Sequence, residues 1–187
     1  MGDLGFLAKV VLGDIFNRLN QIIKGDFVIE KRMLAKASIF YEGETKSFVA
    51  LNDFVFSNGE AHRMLTLNVM VDGSFVGSYK SDGLIIATPT GSTAYSLSAG
   101  GPIITPGVDS LIITPTSAHT LTSRPLVVPG NSVISVEFSK ADKSVLFVAD
   151  GQLVDPLSIH CKIEVFRNNF FVNLIDFKDS DYFDTLR

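Results

Sequence analysis

From Phe27 onward, apolar and polar positions alternate in short runs rich in Val, Ile, Phe and Thr, and Gly, Asn, Asp or Pro breaks the runs at intervals of about 8 to 12 residues. This rhythm predicts strands over Val28–Phe40, Ser47–Phe56, Leu65–Val71, Ser74–Tyr79, Gly83–Ala87, Leu111–Thr114, Pro125–Val128, Ser132–Phe138, Val145–Ala149, Cys161–Phe166 and Phe170–Ile175. Asp72-Gly73 supplies a two-residue hairpin signal between the third and fourth runs. Ahead of the strands, Ile15, Phe16, Leu19, Ile22 and Ile23 recur at helical spacing with Asp14, Asn17, Arg18 and Gln21 between them. The spacing predicts an amphipathic helix over Leu12–Ile23, ended near Gly25. One long helix before a succession of strands predicts a mainly β (α+β) domain built as a two-layer sandwich.

Composition narrows this picture. The chain has 187 residues, 46% of them hydrophobic and 19% charged, enough for a core and too little charge for a disordered polymer. Fifteen phenylalanines and no tryptophan provide planar fillers without a polar handle, suited to packing between two sheet faces. The formal net charge of -4 argues against a nucleic-acid partner, which needs clustered cations. The apolar runs are too short to span a membrane, and the N-terminus does not read as a signal peptide. A single cysteine, Cys161, and the absence of Cys/His spacing typical of zinc sites fit a reducing, cytoplasmic setting without a structural metal.

One stretch departs from the strand pattern. Gly83 to Ala87 is apolar and leads into Thr88-Pro89-Thr90-Gly91-Ser92-Thr93, after which Ala94 to Ala99 are good helix formers stopped by Gly100-Gly101-Pro102. Strand, hydroxyl-rich glycine loop and short helix can offer backbone N–H groups to a phosphate or a polar heterocycle, and equally form a capped surface turn. A second oddity is Asn52-Asp53, an amide beside a carboxylate at the centre of the apolar run Ser47–Phe56. Buried without partners, such a pair costs a few kcal/mol, so it calls for a ligand or a hydrogen-bond network. Arg63 and Lys80 alone read as solvated charges, Ser117 and Gln152 as ordinary polar residues near turns, and Asp150-Gly151 as a hairpin turn. His119 reads as a turn support, while His62 and His160 carry no signal.

Taken together, Asn52-Asp53, Asp82-Gly83-Leu84, Thr88 to Tyr95, Ser98 to Pro102 and Asp150-Gly151-Gln152 resemble the NAD kinases, which phosphorylate NAD with ATP or polyphosphate. Pro115, His119-Thr120-Leu121 and Arg124-Pro125-Leu126 fall in the same order. The resemblance spans nearly the whole chain and implies that Asn52 and Asp53 bind the adenosine part of NAD. It implies that Thr93, Ala94, Tyr95, Ser96, Leu97 and Ser98 line the dinucleotide cleft. It also implies that Lys80 and Asp82 bind the nicotinamide ribose, from a neighbouring subunit in a homo-oligomer (dimer or tetramer), and that Arg63, Ser117 and Gln152 add further contacts. NAD would be the substrate, with Mg2+ accompanying ATP.

The family's G-G-D-G motif, which supplies the catalytic aspartate from an N-terminal α/β domain, does not occur in these 187 residues. The resemblance therefore places no catalytic residue on this chain and implies that it binds NAD without turning it over alone. On this reading residues 1–25 are a junction segment with its helix, 26–176 the NAD-binding sandwich and 177–187 a tail. Two other classes stay open: a lipid or sphingoid-base kinase, and a non-enzymatic nucleotide-sensing or assembly module.

Overall fold

The computed structural model describes residues 10–58, 64–118, 123–140, 145–179, 181–184 and 186. The chain divides into two units: Arg32–Val172 form one, and Met1–Lys31 with Asn173–Arg187 the other. In the smaller unit a 3-10 turn at Leu12–Asp14 continues into helix α1, Ile15–Ile23, and Gly25 closes it at φ +72°, as the apolar spacing predicts. Arg18 gathers this unit's polar contacts: its Nη1 donates to Asp179 at 2.7 Å and its guanidinium lies 4.5 Å from the Phe177 ring centre. The described tail holds a 3-10 turn at Tyr182–Asp184.

The larger unit is built from strands β1 (Val28–Tyr41), β2 (Glu44–Ala50), β3 (Asp53–Asn58), β4 (Leu65–Val71), β5 (Ser74–Ser81) and β6 (Gly83–Ala87). They are followed by β7 (Ser110–Thr116), β8 (Leu126–Pro129), β9 (Ile134–Lys140), β10 (Val145–Ala149), β11 (Gln152–Leu157) and β12 (Lys162–Asp176). β1 and β12 also run on into the smaller unit. Two six-stranded sheets result, ordered β2-β1-β12-β9-β4-β5 and β11-β10-β3-β6-β7-β8.

The core is aromatic where the sheets face each other. The Phe147 ring stacks on Phe54 and Phe56 of its own sheet at 5.6 and 5.3 Å, and meets Phe48 of the opposite sheet edge-on at 5.2 Å. Phe56 and Phe138 make a second inter-sheet contact at 6.4 Å. A satellite cluster of Val55, Ile85, Ala87 and Ile112 lies on the outer face of the second sheet, where Ala99 and Ile104 cover it.

Hairpins follow the turn chemistry. Asp72-Gly73 joins β4 to β5 with φ of 51° and 78°, and Asp150-Gly151 joins β10 to β11 with φ of 48° and 75°. Three expectations are corrected. Ser47–Phe56 is not one strand but two, because the chain leaves the first sheet after Ala50 and enters the second at Asp53. Conversely, the runs Cys161–Phe166 and Phe170–Ile175 join into the single strand β12, since Arg167, Asn168 and Asn169 continue the ladder as polar positions of an extended backbone. The predicted strands leave out β11, in which Pro156 is tolerated because β11 is a sheet edge.

Candidate functional site

Asn52-Asp53 sits at the point where the chain crosses between sheets. Leaving one ladder for the other strands backbone groups at Leu51 to Asp53, and two remote residues, Asp150 and Thr88, satisfy them. The Asp150 carboxylate accepts the N–H groups of Leu51, Asn52 and Asp53 at 2.8, 2.6 and 3.2 Å. The Thr88 hydroxyl donates to the Leu51 carbonyl at 2.5 Å, and the Thr88 N–H donates to the Asn52 carbonyl at 2.9 Å. The Asp150 N–H in turn donates to the Asp53 carbonyl at 3.0 Å.

The loop after β6 closes onto this crossover. Gly91 lies so near the Asn52 backbone that a Cβ there would come 2.5 Å from its carbonyl carbon and 2.8 Å from its Cα. No side chain fits, so the glycine of the Thr88–Thr93 loop is required by packing. Inside the loop the Gly91 N–H donates to the Thr88 hydroxyl at 3.2 Å, and the Ser92 hydroxyl bridges Pro89 and Ile104. A 3-10 turn at Gly91–Thr93 then leads into α2, Tyr95–Ser98.

Between crossover and loop lies a cleft of about 430 Å³ lined by Asn52, Asp53, Val55, Ala94, Tyr95 and Asp150, with Ser57, Val148 and Gly151 completing it. Asp53 is buried, with 4% of its surface exposed, whereas the Tyr95 ring is half exposed. Burial first and the Asp150 charge second push the Asp53 carboxyl up to about 6. The cleft thus offers an amide with donor and acceptor, a proton-sensitive carboxyl, an aromatic face and free space between them. It has the chemistry to hold a flat polar heterocycle with a hydroxyl-bearing ring attached.

Of the residues singled out in the sequence, Asn52, Asp53, Ala94 and Tyr95 line this cleft. Thr93, which precedes Ala94, is not among the lining residues and donates its hydroxyl to the Thr90 carbonyl, and Ser96 is turned inward, its hydroxyl 2.9 Å from that of Thr114. Leu97 and Ser98 are exposed on α2, and Gln152 follows the Gly151 turn. Lys80, Asp82 and Ser117 form a separate group. Asp53 pairs with Ala87 at one end of the β3–β6 ladder, while the Asn58 N–H donates to the Asp82 carbonyl beyond the other end. Five strand residues, about 16 Å, separate the two ends. The Asp82 N–H donates to the Thr116 carbonyl, which brings Ser117 to the same end. Arg63, His62 and His119 lie outside the described residues. Among the described residues no three His, Cys, Asp or Glu side chains come together as a metal set.

Sequence reasoning places Asp150 in the family motif Asp150-Gly151-Gln152 but gives it no role in the site, because its local signature is only that of a turn. Its role is visible once the fold brings it to a crossover 97 residues earlier in the chain. Among the described residues no helix is long and apolar enough to cross a membrane.

Residues 51–177 match the sequence profile of the ATP-NAD kinase C-terminal domain. The chain is 43% identical over 188 aligned positions to an NAD kinase of Thermoanaerobacter sp. (strain X514), and all of it is covered. It is 39% identical over 186 positions to an NAD kinase of Serratia proteamaculans. It spans 66% and 64% of the lengths of these two relatives. Among solved structures, yeast NADH kinase complexed with NADH superimposes with a TM-score of 0.92 at 26% identity, over 100% of this chain and 57% of that one. An NAD kinase from Archaeoglobus fulgidus in complex with ATP gives 0.79 at 26% identity, over 98% of this chain and 68% of that one.

Proposed function

The chain belongs to the ATP-NAD kinase C-terminal domain family, and from that premise we propose that its cleft receives the adenosine end of NAD as the acceptor pocket of an NAD kinase. The observation that supports this reading most is the held crossover: Asn52 and Asp53 are fixed by their backbones, which leaves both side chains for a ligand. Asn52 offers a donor and an acceptor to the base edge, Asp53 accepts ribose hydroxyls, and the exposed Tyr95 ring lies against the base.

In the parent reaction the adenosine ribose 2'-oxygen attacks the terminal phosphorus of ATP or polyphosphate, the bond to the leaving phosphate breaks, and the hydroxyl proton passes to a base. Phosphoryl transfer of this kind rests on positioning and charge neutralisation. This chain contributes the acceptor's position. Because the 187 residues contain no G-G-D-G, the base and phosphate clamp are assigned to a partner segment, and the chain alone binds without transfer. Mg2+ would be held through the phosphates of ATP.

Lys80, Asp82 and Ser117 are assigned to NAD bound in a neighbouring copy of the chain, since they lie at the far end of the ladder from their own cleft. Edge strand β5, which carries Lys80, also exposes Phe75 and Val76 and offers an apolar surface for such a homo-oligomer.

Calorimetric titration of NAD into the 187-residue chain, with Asn52→Ala alongside, tests the reading. Saturable heat in the parent and a loss of about fivefold or more in affinity in the variant are expected, since an unpaired base edge costs about 1–3 kcal/mol. No heat or thermal stabilisation at millimolar NAD in the parent would overturn it.

A further inference from the structure

The Asp150-Gly151 turn does more than reverse the chain between β10 and β11. From its left-handed backbone, φ 48°, the Asp150 side chain reaches the crossover and accepts three successive N–H groups, while its own N–H donates back to Asp53. All three bonds end on the two oxygens of this one carboxylate. It lies beside Asp53, which is 4% exposed. Among the described residues Tyr95 is the only other titratable side chain lining the cleft. Across the ladder Asp53 meets Ala87 of β6; on its other side β10 ends with Ala149 opposite Phe54, and Asp150 itself comes next to Asp53. The loop after β6 adds Thr88, and the buried Arg32 of β1 spends its Nη1 on the Thr90 hydroxyl of that loop, so no cation of the flanking strands offsets the pair.

We propose that Asp150 is the positioning residue of this site, setting Asn52 and Asp53 through the crossover backbone and making capture of a ribose diol depend on the protonation state of Asp53. The proposal rests on the reading of the cleft as the adenosine pocket. Ionised Asp53 can accept both hydroxyl protons of a vicinal diol, whereas the neutral acid has one acceptor fewer and a proton in the way. Binding therefore expels the Asp53 proton in acid. Affinity rises by up to about tenfold per pH unit as far as the Asp53 midpoint and then levels. Removing the Asp150 charge lowers that midpoint and loosens the crossover together.

Two measurements on the full 187-residue chain test this: carboxyl carbon NMR titration of Asp53 without ligand, and calorimetry of NAD binding between pH 5 and 8. In the parent the midpoint falls near 6, with affinity rising to the same pH. Asp150→Asn is expected to move the midpoint down by the smaller share of its shift, up to about one unit, because burial is the larger cause, to flatten the rise in affinity, and to weaken binding at pH 7.5 by at least tenfold. Asp53→Asn, which keeps the side chain's shape, removes the pH dependence. Uniformly weaker binding in Asp150→Asn with an unmoved Asp53 midpoint would make Asp150 a structural turn residue and overturn the proposal. So would an affinity that still rises through pH 6 in Asp53→Asn, a variant that serves even where Asp150→Asn does not fold. A midpoint that moves while no protein gives heat with NAD upholds the coupling between the aspartates and overturns the ligand instead.

Discussion

A carboxyl group kept 4% exposed beside a second carboxylate destabilises the fold whenever it is ionised. The folded state binds the Asp53 proton more tightly than the unfolded chain, because the group lies near 6 in the one and 3.8 in the other. Its favourable contribution is therefore complete below about pH 4 and is lost as pH rises through 6, a swing of about 3 kcal/mol. Asp53→Asn should accordingly raise the melting temperature at pH 7.5, by less at pH 5, and not at all near pH 3.5. A variant no more stable than the parent at pH 7.5 would show that Asp53 is not strained there. That residue's proposed usefulness and its cost to stability have one origin, since the burial that makes the ionised group uncomfortable also keeps water off the ligand. Thr88 acts at the same scale, with one hydroxyl donating to Leu51 and accepting from Gly91. Thr88→Val keeps the shape and orphans both groups, so a loss of about 1–3 kcal/mol in urea denaturation is expected, with NAD affinity falling in step.

At the scale of elements, the site exists because one run of residues belongs to two sheets. Phe48, Ala50, Phe54 and Phe56 keep an unbroken alternation across Leu51-Asn52, so the sequence reads as a single strand; only the pairing partners differ, Ala50 with Ala35 and Asp53 with Ala87. The period of side chains cannot reveal such a change of sheet, because both sheets face the same core. The Thr88–Thr93 loop was legible for the opposite reason: its hydroxyls and glycine satisfy one another within a few residues. Asp150 was not, since its partners are remote in sequence and an Asp-Gly pair already has a sufficient local explanation. The phenylalanines announced inter-sheet packing by number, while the fold decided which of them does it. Phe147 carries that role, in contact with Phe48 across the sheets and with Phe54 and Phe56 beside it. Phe147→Ala should cost about 3–5 kcal/mol by chemical denaturation. It should also weaken NAD binding, because Phe54 follows Asp53 directly. A cost under about 1 kcal/mol would mean that the sheets are held elsewhere.

At the scale of the whole molecule, the polar residues expected to meet NAD fall into two groups at opposite ends of the β3–β6 ladder. Asn52 and Asp53 occupy one end and Lys80, Asp82 and Ser117 the other. If one dinucleotide uses both groups from different copies, a variant in either group is defective by itself, yet the two defects are complementary. Chains carrying Asn52→Ala and chains carrying Asp82→Ala, each weak in NAD binding alone, should recover sites when mixed. Random exchange in equal amounts makes half the dimers mixed, and each mixed dimer holds one site with both native residues and one with neither, so about a quarter of all sites return. Calorimetric stoichiometry after mixing measures this directly. A mixture that never exceeds its components would mean that each chain supplies both groups to its own ligand or that Asp82 takes no part. Asp82→Ala binding NAD as the parent does would decide between those two in favour of the second. A recovered quarter would make assembly itself a condition of the acceptor pocket, since no single chain would then hold a complete one.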